Sequence, residues 1–164
     1  MLGLKRLVLA IVVVLFSTVS ASATATASAQ ASIIVGNTEV SWTGDWEYDP
    51  DSSMDRQATL TQVDAETGSI KLATYGEFMD STVAGPSQAL DVFADSFFTG
   101  AGATAITEAG SGDLEQGGVW KVYTFDLQGL KLTFLVTANQ NSAGAFVVTT
   151  LTGNTERFAS TIEQ

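Results

Sequence analysis

Residues 117–138 read GGVWKVYTFDLQGLKLTFLVTA, and their pairing logic decides the fold. Two alternating runs, Gly117–Leu127 and Leu130–Ala138, flank Gln128-Gly129, a two-residue turn in which glycine supplies the positive φ that such turns need. A two-residue turn dictates the register. Leu127 falls opposite Leu130, Phe125 opposite Leu132, and Tyr123 opposite Phe134, which makes one apolar face. On the other face Asp126 meets Lys131 and Thr124 meets Thr133, so the same register predicts a salt bridge and a hydroxyl pair.

Working outward, Phe146–Leu151 extends this meander after an Asn139–Gly144 loop, and Asn154 or Thr155 starts a short helix that turns Phe158 and Ile162 inward. Toward the N-terminus, Pro86-Ser87 opens a helix whose Leu90, Phe93, Ala94 and Phe97 recur at i, i+3, i+4 and i+7. Gly100-Ala-Gly102 ends it. Gly110-Ser-Gly112 reads as a loop. Gln57–Val63 and Ser69–Tyr75 alternate as a hairpin joined through Asp64–Gly68, and Glu39–Trp42 is a short strand. The order is strand, hairpin, helix, three or four antiparallel strands, helix. That is an α+β fold on an antiparallel sheet. Phe125, Tyr123, Leu132 and Phe134 are expected to form the core beneath the two helices.

The start of the chain has a different character. Lys5 and Arg6 precede an apolar run, Leu7–Phe16, then a small-residue tract ending Ala27-Ser28-Ala29. A basic start, a short apolar stretch and an A-x-A site make a secretory signal peptide over residues 1–29. Ten apolar residues cover about 15 Å of helix, half of a bilayer core of ~30 Å. Ala21–Ala23 and Ala25–Ala27 offer further A-x-A sites. With no Cys for lipoprotein attachment and no twin arginine, the expected address is secreted or periplasmic, by unfolded export. A flexible segment over 30–38 and a single domain over 39–164 follow, with no stable membrane insertion of the mature chain.

Composition excludes more than it includes. Seven basic and eighteen acidic residues give a formal charge of −11, which becomes −13 when Lys5 and Arg6 leave with the leader. Such a domain is repelled by nucleic acid and by anionic headgroups. The absence of His and Cys removes Ser-His-Asp and thiol catalysis, His- and thiolate-ligated zinc, haem on His, and iron–sulfur clusters. No cofactor is implied. No D-[ST]-G, S-x-x-K or P-loop lysine is present.

Two segments carry candidate sites. Asp45, Glu47, Asp49, Asp51 and Asp55 cluster, and Asp49, Asp51 and Asp55 resemble the opening of an oxygen-ligand calcium loop. Met54 stands where that loop needs Gly, however, and Leu60 where it needs a bidentate Glu, so a solvated acidic turn is the plainer reading. Trp42, Trp46 and Tyr48 share parity, and in an extended segment they form one stripe, either core or a ligand face. No catalytic residue is assigned.

Val40-Ser41-Trp42 with Trp46, the Leu90–Phe97 helix, Tyr123–Val136 and Phe158–Ile162 together resemble the Mog1/PsbP-like group, which includes secreted members of unknown role. The resemblance runs from about Glu39 to the end. The Pro that usually precedes the first Trp of that pattern is Ser41 here. It implies a sandwich of that type and a non-enzymatic accessory or binding role. The functional expectation is therefore a binding domain for an extracytoplasmic protein or small ligand, acting through the sheet face or the aromatic segment. The alternative is a small carboxylate-based hydrolase. Two buried carboxyls facing each other in a cleft would favour the hydrolase, and apolar and hydroxyl linings the binder.

Overall fold

The computed structural model describes residues 30–36, 38–63, 70–115 and 117–158. The signal segment, the Asp64–Gly68 connection and Ile162 lie outside them.

Seven antiparallel strands form the main sheet. In chain order the strands of the molecule are β1 (Ala31–Val35), β2 (Thr38–Trp42), β3 (Glu47–Tyr48), β4 (Gln57–Val63), β5 (Ile70–Phe78), β6 (Thr104–Asp113), β7 (Val119–Leu127), β8 (Leu130–Gln140) and β9 (Phe146–Asn154). One helix, α1 (Pro86–Ala101), separates β5 from β6, and a 3₁₀ turn over Thr155–Arg157 follows β9. The sheet runs β3-β4-β5-β9-β8-β7-β6, while β1 and β2 pair as a separate hairpin. This is the expected α+β architecture.

The β7–β8 register is the one dictated by the turn: Leu127↔Leu130, Phe125↔Leu132, Tyr123↔Phe134, with Asp126↔Lys131 and Thr124↔Thr133 on the other face. Gln128 and Gly129 both adopt positive φ, 52° and 84°, as a type I′ turn requires. Two details differ. Asp126 and Lys131 face each other without closing an ion pair, since exposed side chains keep their water. The Thr133 hydroxyl donates to Thr155 Oγ1 at 3.1 Å, and the buried hydroxyl pair is instead Thr137 with Thr149.

α1 packs along β8 and its neighbours β7 and β9. It ends in a Schellman-type cap: Gly102 turns left-handed (φ 69°), its N–H reaches Thr99 O, and Ala103 N–H reaches Phe98 O. Ala89, Leu90, Ala94 and Phe98 are buried beneath it, while Phe93 and Phe97 pack at the edge. Phe97 stacks on Phe134 at 4.4 Å between ring centroids, and Phe98 meets Tyr123, Phe125 and Phe134 edge-on. The expected Phe125–Phe134 core is thus roofed by α1 alone. Phe158 packs on the opposite face with Trp120, Val122, Leu135 and Leu151. β-strand alternation places even and odd residues on opposite faces, so two cores share one sheet.

Two expectations are corrected. The segment 30–38 is not a flexible lead: Ala31–Val35 pairs with Thr38–Trp42, and Val35 and Val40 are buried against Ala58, Tyr75 and Val147. Gly110-Ser-Gly112 lies inside strand β6. A Cβ on Gly112 would stand 2.9 Å from Trp120 Nε1, so glycine is what lets the indole press flat on the edge strand. Among the described residues, no helix is long and apolar enough to cross a membrane.

Candidate binding surface

The face opposite α1 carries the residues with chemical potential. Its rows follow from the registers. Tyr48, Leu60, Ala73, Leu151 and Leu135 form one row, and Gln62, Lys71, Gly153 and Thr133 the next. One step back from Glu47↔Thr61 brings Trp46 level with Gln62. Trp46 is half-buried against the Trp120–Phe158 core, and the Trp42 indole N–H donates to Trp46 O at 2.9 Å. Trp42, Trp46 and Tyr48 do not form one extended stripe, because the chain turns at Gly44 (φ 83°) between β2 and β3. They are gathered by hydrogen bonding and packing instead. Tyr48, at 36% exposure, is the aromatic of the three most open to solvent.

The acidic turn serves as an edge guard. Asp49 Oδ1 accepts from Asp51 N–H at 3.0 Å and from Ser52 N–H at 3.2 Å. The Ser52 hydroxyl and these backbone donors hold the Asp49 carboxyl below its ordinary value. Ser53 Oγ accepts from Thr59 N–H, and Asp49 N–H donates to Thr59 O, so the turn satisfies polar groups on the open side of β4. Asp51 and Asp55 extend from the same turn. Among the described residues, no three His, Cys, Asp or Glu gather as a metal could use them.

Sequence reasoning missed Glu77. Its side chain is 3% exposed, at the top of the same face where β1–β2 docks. Thr38 and Tyr75 donate hydroxyl hydrogen bonds to Oε1 (Tyr75 at 2.7 Å), and Arg56 Nη2 lies 3.7 Å from Oε2. Burial pushes the carboxyl up, but these donors outweigh it and hold it below its usual value. Burial and the adjacent carboxylate push Tyr75 up to about 12. The only available signal was an acidic residue in a strand position that alternation turns inward.

A seven-stranded antiparallel sheet with a helix on one face and an N-terminal hairpin and Phe158 on the other is a Mog1/PsbP-like fold. Among solved structures it is similar to the crystal structure of the Saccharomyces cerevisiae Ran-binding protein Mog1p, with a TM-score of 0.61, 9% identity, and 82% of each chain covered. At that identity the likeness is one of fold. No protein-family model matches the chain, and no curated protein sequence matches it.

Proposed function

We propose that the protein is an extracytoplasmic, non-enzymatic binding domain that works through the face opposite α1, with Tyr48 and Trp46 at its rim. The supporting observation is the environment of Glu77. It is the one buried carboxylate among the described residues, and its partners are two hydroxyls and a guanidinium, with no second carboxyl. A carboxyl held below its usual value is ionised at neutrality and cannot serve as the proton donor that a two-carboxylate hydrolase needs. Export rests on residues 1–29, whose basic start, short apolar run and A-x-A sites direct secretion.

The test uses the exported chain as bait on the extracytoplasmic fraction of its own source, beside Tyr48→Ala. The expected result is a retained partner or ligand that the variant loses, and no turnover of ester, glycoside or peptide reporters. Turnover that Glu77→Gln abolishes would replace this reading with the hydrolase.

A further inference from the structure

Five basic residues belong to the domain, and four are accounted for. Arg56 pairs with Glu77, Lys121 with Asp91 and Glu108, Arg157 has a partner, and Lys131 stands in water. Lys71 differs. It is 5% exposed on β5, and among the described residues its ammonium makes no hydrogen bond or ion pair. Directly across the register on β4 is Gln62, whose Oε1 is buried without a hydrogen-bond partner. On the other side, Gly153 brings no side chain to the row, and Thr133 follows.

A buried cation without a counter-ion is costly, and so is a buried amide left half-satisfied. Two such groups side by side on one face make a site whose complement is missing. The ammonium offers three donors and the amide two more, so the complement is an acceptor carrying negative charge. A single cation matches a monoanion. The strongly acidic domain disfavours a dianion such as phosphate.

We propose that Lys71 and Gln62 form a carboxylate-binding site on the face opposite α1, a refinement that rests on the binding reading above. The carboxylate has two possible sources. One is a free carboxylic acid. The other is Glu163 of this chain, five residues beyond Phe158 and so within about 18 Å of extended chain from the core that Phe158 anchors on this face.

The experiment follows the Gln62 side-chain and Lys71 backbone NMR signals of the exported chain. Benzoate is titrated at constant ionic strength in chloride, with benzamide as the uncharged control. A saturable benzoate shift that benzamide lacks, weakened about tenfold or more by Lys71→Met, assigns the site to a free acid. A silent exported chain that becomes benzoate-responsive in Glu163→Gln assigns it to the chain's own carboxylate. No benzoate response in either the exported chain or Glu163→Gln overturns the proposal, whether or not Lys71→Met folds. Silence alongside Tyr48-dependent capture discards the carboxylate site and keeps the binding reading. A benzoate response without Tyr48-dependent capture keeps the site and discards the rim.

Discussion

Glu77 fastens the N-terminal hairpin to the sheet. The hydroxyl of Thr38 on β2 and that of Tyr75 on β5 converge on one carboxylate oxygen, so the hairpin and the sheet share a buried charge. A hydrogen bond to a buried charge contributes about 1.5–3 kcal/mol, against about 1 for a neutral pair. Tyr75→Phe should therefore cost about 1.5–3 kcal/mol at pH 7. The linkage has a definite sign. The folded pKa of Glu77 lies below its reference of 4.5, so its stabilisation is present above that value and is lost as pH falls through the folded pKa. Tyr75 is raised from 10.0 to about 12, so its stabilisation is present below pH 10 and is lost as pH rises toward 12. Denaturant titrations across pH should show the Tyr75→Phe deficit shrinking below pH 4.5, and the wild-type loss between pH 10 and 12 missing in the variant. A deficit independent of acid would mean that Glu77 is not the acceptor that matters.

At the scale of elements, the β7–β8 hairpin under α1 is where packing is concentrated. Phe134 is fully buried, stacked on Phe97 and edge-on to Phe98, so emptying its site should cost about 3–5 kcal/mol. Lys131, on the same strand but exposed and without an ion pair, should cost under about 1 kcal/mol when replaced by Ala. Chemical denaturation of Phe134→Ala and Lys131→Ala compares the two faces, and equal losses would contradict the assignment. Gly129 adds a backbone test. Its φ of 84° strains any residue with a Cβ, so Gly129→Val should lower stability without removing a contact, seen as a drop in Tm with unchanged aromatic near-UV dichroism.

For the whole molecule, charge sets behaviour that no single contact does. Five basic against eighteen acidic residues repel one another within a compact domain, and salt screens that repulsion. Raising NaCl from low ionic strength to about 0.15 M, where the Debye length falls to ~8 Å, should raise Tm, and scanning calorimetry at pH 7 reads it directly. A Tm that falls with salt would point to net-favourable ion pairs instead. Export is tested at the same scale: N-terminal sequencing of material released from cells should find a start between Ala23 and Ser32. A start at Met1 in the membrane fraction would refute it.

The hairpin at Gln128-Gly129 and helix α1 were legible in the sequence because their information is local. A two-residue turn dictates its own register, and a 3.6-residue stripe needs only one partner surface. The absence of His and Cys likewise bounded the chemistry without any coordinates. β6 was illegible for the opposite reason: an edge strand exposed at most positions has no alternation to display, and pairing with β7 alone makes it a strand. The same holds for the surface. Trp42, Trp46 and Tyr48 were visible as candidates, but a turn at Gly44 and the docking of β1–β2 determine which of them faces water. Glu77, Gln62 and Lys71 are ordinary residues in sequence. Only the stacking of non-adjacent strands buries them, and burial is what turns a charge or an amide into a demand for a partner.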